Sequence, residues 1–460
     1  MLIGFSVSNF LSFCEMQKLS MISGRTRKNE RHVQKDGNKL GLLRFSALFG
    51  ANSSGKSNLL KAILYAQTTI LKGIQLSSNS YCRIYSKNKE KVSTFDFEMK
   101  IDDKYYAYGF DILLYKNSIK SEWLLEITGN KEKTIFYREL DKDININDEY
   151  FENEELLNRL KIYADDIKNQ DNILFLTVMN KNKDSLYSKE NNSIIILKKV
   201  FDWFKYKLTV ILPHVRIIKD SYYASEEGLE KITKIISSFD TGISKCKTRK
   251  VEMEELMIKI PKQILDDVKN FTENNFINML KNNVKNPKTN SFLRIDRELY
   301  IFQKEEVESL EVKTVEFEHE NNEGKYSFYE ESDGTIRILD LIEILINTTT
   351  DKVYFIDELD RCLHPKLTCN FVKTFLEKKD KANVQLFVTT HESRLLNFDL
   401  LRRDEIWFAN RCENKPTELY SLEEYNERFD KKIDKAYLEG RYGGVPVFKK
   451  EFNEEEYENT

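Results

Sequence analysis

Gly50, Ala51, Asn52, Ser53, Ser54, Gly55, Lys56 and Ser57 follow the spacing G-x-x-x-x-G-K-[ST], which suits the binding of a row of phosphates. The glycines let successive backbone N–H groups curl around anionic oxygens, and a helix starting at the end of the loop adds its positive pole. In such a cradle Gly50, Asn52, Ser53, Ser54, Gly55 and Asn58 surround the anion, Lys56 reaches the β and γ phosphates, and Ser57 ligates Mg²⁺. A chance glycine-rich turn is the alternative, and with only 16 glycines in 460 residues it is a rare accident.

Two further clusters supply chemistry that a phosphate cradle needs. The apolar run 353–356 ends on Asp357 and Glu358, the first placed to hold Mg²⁺ through water and the second to accept a proton from an attacking water. The run 384–388 ends on Thr389, Thr390 and His391, a polar group suited to sensing a γ-phosphate. Taken singly, these are an acidic loop and a structural histidine; next to the glycine loop they make a nucleotide site. Residues 331–337 (ESDGTIR) precede a helix, where Ser332 and Gly334 form either a plain N-cap or an anion site for a second nucleotide.

The elements around these residues have the right periods. Residues 42–49 (LLRFSALF) read as a doubly buried strand before the loop, and Leu60, Ile63 and Leu64 fall on one helical stripe after it. Ile3, Phe5 and Val7 alternate, as do Phe95, Phe97, Met99 and Ile101, and then Tyr106, Tyr108, Phe110 and Ile112 beyond an Asp102–Asp103 turn, which predicts an antiparallel meander. Segments around 201–212 and 252–276 read as helices without a sustained heptad. From 336 the pattern is helix to 346, strand 352–356, helix 365–378 and strand 384–389. The fold class is therefore α/β, a mostly parallel sheet plus an antiparallel β-meander with a helical insertion. The expected domains are 1–150, the insertion 151–300 as an assembly or partner surface, and 301–460.

The composition narrows the classes of partner. Against 75 Asp and Glu stand 72 Lys and Arg, a net charge of −3, so any nucleic-acid surface must be local, and residues 25–39 with Arg25, Arg27, Lys28, Arg31 and Lys35 are the one basic stretch considered. A solvated loop is the preferred reading there. No stretch approaches the roughly 18 apolar residues of a membrane span and the N-terminus alternates, so a cytoplasmic protein is expected. The six cysteines are scattered without a CxxC pair and read as reduced and structural, and Cys362, His364 and Cys369 read as packing in preference to a metal site. The acidic end, 451–460, is expected to fray.

The order glycine loop, long insertion, Ser-x-Gly helix start, strand ending in Asp-Glu, then Thr-Thr-His resembles the ABC-type ATPases of the RecF, SMC and overcoming-lysogenization-defect group. The opening IGFSVSNFLSF, the GKSN of the loop and ELDRCLHP after the carboxylates look like that group too. The tail, with RRDEIWF at 402–408 and YLEGRYGGVP at 437–446, resembles ATPase subunits of two-component antiphage systems such as the phage anti-restriction-induced system. The resemblance implies ATP and Mg²⁺ as ligands, Lys56 and Ser57 as the Walker A pair, Asp357 and Glu358 as Walker B and general base, and His391 as the switch histidine. Ser332 with Gly334 would be the signature, here ESDGT in place of LSGGQ, and Gln67 is the candidate for the Q-loop glutamine. It further implies a head-to-tail homodimer sandwiching two ATP molecules, while the departures at the signature and the Q-loop lead to an expectation of slow or regulated hydrolysis.

The chain after His391 leaves no room for a fused Toprim nuclease and holds no DxD pair, so an effector of Toprim or other nuclease type would act in trans. One reading is a sensor and scaffold in antiphage defence, a higher homo-oligomer that holds a separately encoded effector and answers a phage-encoded trigger protein. The alternative is a RecF-like repair ATPase whose partner is DNA, with salt-dependent affinity.

Overall fold

Strand β1, Phe45–Phe49, is buried at every residue and runs directly into Gly50. The computed structural model describes residues 1–445 apart from 27, 37–39, 130, 152, 188–192, 214–219, 296, 321–322, 347–350, 379–382 and 426–432. The expected strand over 42–49 is in fact two. Arg44, buried, donates its N–H to His32 O at 2.9 Å and bends the chain, so that Leu40–Leu43 pairs with Val33–Asp36 while β1 joins another sheet. Arg27, Lys39, Pro446 and the tail 451–460 lie outside the described residues.

The chain forms two units, the first from residues 1–214, 349–360 and 379–460, the second from 215–348 and 361–378. In the first unit β1 sits inside a six-stranded sheet with β2 (Leu208–Ile211), β3 (Lys352–Ile356), β4 (Val384–Thr389), β5 (Ile406–Asn410) and β6 (Glu418–Ser421). Their order is β2-β3-β4-β1-β5-β6. The first five run parallel and β6 returns antiparallel to β5. Residues 208–211 were expected in a helix, but the run Leu-Thr-Val-Ile is rich in β-branched side chains and takes the open edge of β3 instead. Helix α1 (Lys56–Lys72) buries Leu59, Leu60, Ile63, Ala66 and Ile70.

A seven-stranded antiparallel sheet carries the predicted meander: Leu2–Ser8 lies between Gln17–Ser20 and Ser93–Ile101, followed by Lys104–Leu113, Ser118–Thr128, Lys131–Glu139 and Asn145–Ile146. Asp102, at φ 52°, makes the tight turn. One continuous apolar core joins this sheet, α1 and the parallel sheet, from Phe5, Phe95 and Phe97 to Phe355 and Phe387. Gln385 of β4, fully buried, stitches the two sheets. Its Oε1 accepts from Leu2 N at 2.6 Å and its Nε2 donates to Leu2 O and Leu43 O at 2.9 Å, so an amide deep in the core is fully satisfied.

The cysteine reading needs correction: Cys14 and Cys82, 68 residues apart, form a disulfide. Scattered spacing hid the pair because the fold joins them. Asn9 accepts the Cys82 N–H and donates to the carbonyls of Asn88 and Lys91, which gathers the two loops. The other four cysteines are free thiols.

The second unit holds a sheet ordered Ile243–Lys250, Glu311–His319, Glu298–Lys304 and Thr289–Ile295, with Lys325–Ser327 added beside Glu311–His319. Its own core includes Leu256, Leu265, Tyr300 and Phe302. The helical segment at 252–276 is broken into Met253–Lys259 and Lys262–Lys281 because Pro261 lacks the N–H to continue the first helix. Helix α2 (Asp333–Ile346) begins after Ser332.

Candidate functional site

β1 ends the parallel sheet's central ladder at Gly50, and the loop 50–55 turns the chain into α1. Two glycines are required by contact. A Cβ on Gly50 would come within 2.5 Å of Ala409 O, and Gly55, at φ +107°, has the Thr417 hydroxyl where a Cβ would go. The back of the loop is fixed by side chains: the Thr417 hydroxyl reaches Ser54 O and Ser12 Oγ, each at 2.8 Å, and Asn58 Nδ2 donates to Ser12 Oγ at 2.8 Å.

Asn52, Ser53, Ser54, Gly55, Lys56, Ser57, Asn58, Glu358, His391 and Arg411 line one cavity of about 320 Å³. Lys56 Nζ donates to Gly50 O at 2.8 Å and to Ala51 O at 3.0 Å, so the ammonium folds back onto its own loop. Burial pulls its pKa down to about 8 despite the opposing pull of Asp357, Asp360 and Glu358. Ser54 Oγ is buried with no hydrogen-bond partner among the described residues. A cation held only by carbonyls beside an unsatisfied hydroxyl fits an incoming phosphate anion.

The parallel ladder sets the tips of β3 and β4 side by side. Asp357 is almost wholly buried, and the Thr389 hydroxyl donates to its Oδ1 at 2.6 Å while accepting the Glu358 N–H at 2.8 Å. Glu358 sits at φ 50°, a conformation uncommon for a residue with a Cβ, and the Thr389 bond helps to hold it there. The hydroxyl of Ser57 and the carboxylate of Asp357 are hard oxygen ligands of the kind Mg²⁺ takes. His391 N donates to Asp360 Oδ1 at 3.1 Å, and burial together with the Lys56 charge lowers the imidazole's pKa below its usual 6.5.

The residues expected from the sequence thus divide. Gly50 to Asn58, Asp357, Glu358 and His391 converge in the first unit. Ser332 and Gly334 lie in the second, where Ser332 Oγ accepts the Thr335 N–H at 3.1 Å as a helix cap and a Cβ on Gly334 would approach Cys362 O at 3.0 Å. Gln67 is not at the cavity. Its Nε2 donates to Phe204 O at 2.7 Å and Leu208 O at 3.0 Å, anchoring α1 to the strand β2. Of the basic stretch, Lys28 pairs with Asp399 and Lys35 with Glu30. Arg411, Thr417, Ser12 and Asp360 were not assigned from the sequence. Only Asp360, two residues past Glu358, carried a local signal.

A central parallel strand feeding a glycine loop, faced by acidic and polar tips of the neighbouring strands, defines a P-loop nucleotide-binding fold of α/β class. The chain belongs to the family described as "AAA domain, putative AbiEii toxin, Type IV TA system", whose model matches residues 45–397, so it is a member of an ATP-binding ATPase family. No curated protein matches it. Among solved structures it is similar to an SMC head bound to the C-winged helix domain of ScpA, with 11% identity over 91% of this chain and 97% of that one, at a TM-score of 0.41. It is similar also to the SMC head domain from Thermotoga maritima, with 11% identity, 91% and 98% coverage and a TM-score of 0.35. An Smc head with an extended coiled coil, bound to the C-terminal domain of ScpA derived from Pyrococcus furiosus, gives 12%, 92%, 97% and 0.34. Among the described residues no helix is long and apolar enough to cross a membrane.

Proposed function

We propose that this protein binds ATP with Mg²⁺ and hydrolyses it, and that the ATP-bound state works as a sensor and scaffold in antiphage defence, controlling a separately encoded toxic effector. The observation that carries the ATPase reading is the convergence of Lys56, Ser57, Glu358 and His391 on one cavity, with Asp357 buried next to Glu358 and held by Thr389. Lys56 holds the β and γ phosphates, and its ammonium exchanges two carbonyl oxygens for phosphate oxygens that bind it more strongly. Ser57 and Asp357 hold Mg²⁺, which neutralises charge developing on the phosphates. Glu358 takes the proton from the attacking water, and His391, neutral at physiological pH, hydrogen-bonds the γ-phosphate.

The defence role is supported by the family's description, which couples this domain to AbiEii and a type IV toxin–antitoxin system, and by the YLEGRYGGVP tail. In this reading the effector, a nuclease, is a second gene product and acts in trans. The switch requires partners with different affinity for the open and the ATP-clamped states. Ser332 and Gly334 of one protomer complete the ATP site of another in a homodimer, and higher homo-oligomers form the scaffold.

The test is affinity purification of tagged Glu358→Gln from cells with and without phage and with and without ATP. A stoichiometric toxic partner released on infection is the expected result. Recovery of DNA and repair proteins with no toxic partner would reject the sensor reading. Failure of the purified wild-type chain to bind ATP would reject the ATPase reading beneath it.

A further inference from the structure

The phosphate cradle has a larger neighbour. A hollow of about 630 Å³, within the range of small-molecule sites, is lined by Leu11, Ser12, Asn58, Arg83, Ile84, Arg411 and Asn414. Asn58 and Arg411 line both hollows, so Arg411 stands at their junction. Its Nε donates to Lys415 O at 3.2 Å, which leaves most of the guanidinium's donors for a ligand. Among the described residues neither Arg83 nor Arg411 is paired with a carboxylate, in a chain with more acidic than basic residues.

Arg411 is also mechanically tied to the glycine loop. It opens the turn between β5 and β6, and at the far end of that turn the Thr417 hydroxyl grips Ser54 O while Thr417 N donates to Ser12 O at 2.8 Å. At the near end Asn410 Oδ1 accepts from Gly444 N at 3.2 Å, and the Gly444 Cβ position lies 3.2 Å from Gly50 Cα. The turn is therefore joined to the loop that cradles phosphate through the hydrogen bond from Thr417 to Ser54.

We propose that Arg411 contacts the nucleotide at its α-phosphate, and that the hollow with Arg83 receives the ribose and base. This rests on the ATPase reading. A nucleotide with β and γ phosphates held by Lys56 must leave the cradle through its α-phosphate, and of the two residues common to both hollows, Asn58 and Arg411, the cation is Arg411. An arginine can grip two of the phosphate's oxygens at once, which a lysine cannot.

The experiment measures affinities of wild type, Arg411→Ala and Arg411→Lys for ATP, ADP and pyrophosphate. Arg411→Ala is expected to weaken ATP and ADP by the same factor, about tenfold or more, with pyrophosphate little changed and Arg411→Lys intermediate. Arg411 is exposed, so its melting temperature should match wild type. Unchanged ATP and ADP affinity in Arg411→Ala overturns the assignment. A loss confined to ATP also overturns it, by placing the guanidinium at the γ-phosphate. Wild type that binds no ATP overturns the ATPase reading itself, a result separate from either.

Discussion

The Thr389 hydroxyl donates to Asp357 Oδ1 over 2.6 Å, joining the tip of β4 to the tip of β3. The same oxygen accepts the Glu358 N–H, so one threonine orients the carboxylate proposed for Mg²⁺ and the backbone that carries the proposed base.

Thr389→Val should therefore raise the Mg²⁺ concentration needed for half-maximal hydrolysis by about tenfold, in the range seen when a ligand's supporting partner is lost. Thr389→Ser should recover most of it. A Mg²⁺ titration of ATP hydrolysis checks both, and an unshifted midpoint in the valine variant would remove the threonine from the site's machinery.

Nucleotide affinity should fall as pH rises through about 8, because Lys56 in the free protein loses its proton there. A bound polyphosphate favours the ammonium and raises its pKa, so above that pH binding must take up a proton, and affinity declines by up to about tenfold per pH unit. Calorimetry in buffers of different protonation enthalpy should find proton uptake approaching one above that pKa and little below it. Affinity that stays level across this range would mean that Lys56 is not the phosphate's cation.

Glu358→Gln keeps the shape and the hydrogen bond to Thr389 through the backbone but cannot take a proton. Hydrolysis should slow by about 10²–10⁴-fold with ATP affinity retained, and the ATP-bound protein should accumulate as a dimer in light scattering. Turnover at the wild-type rate would reassign the base.

Ser332→Arg places a bulky cation at the cap of α2. One protomer should still bind ATP with wild-type affinity, whereas turnover, if it needs the cap of a second copy, should disappear. Hydrolysis at full rate would rule out a sandwich dimer built on this segment.

The glycine loop, the Asp-Glu strand end and the Thr-Thr-His cluster were legible because each is a local pattern on a strand of marked apolar character. The meander was legible for the same reason, its alternation running unbroken through Phe95–Met99 and Tyr106–Ile112. What stayed hidden depends on contacts between distant segments. β2 reads as helix until β3 offers it an edge, the Cys14–Cys82 bond requires the Asn9 loop, and Arg44 breaks an apolar run only because His32 supplies an acceptor. Arg411 and Thr417 belong to the same group: nothing in their neighbours marks them, and only the β5–β6 turn brings them to the loop.

β1 takes both of its partners, β4 and β5, from residues beyond 383. On the ribosome, the nascent chain emerges with the glycine loop early and the two strands that flank it late. Until they arrive, β1 is an apolar strand with both ladders open, a species that needs shielding from aggregation. A transcript cut short before β4 yields a polypeptide that carries the phosphate-binding pattern and the Asp357–Glu358 pair and yet lacks Thr389 and both strands that flank β1. The glycine loop therefore gains the strands on either side of it only after translation has passed Asn410.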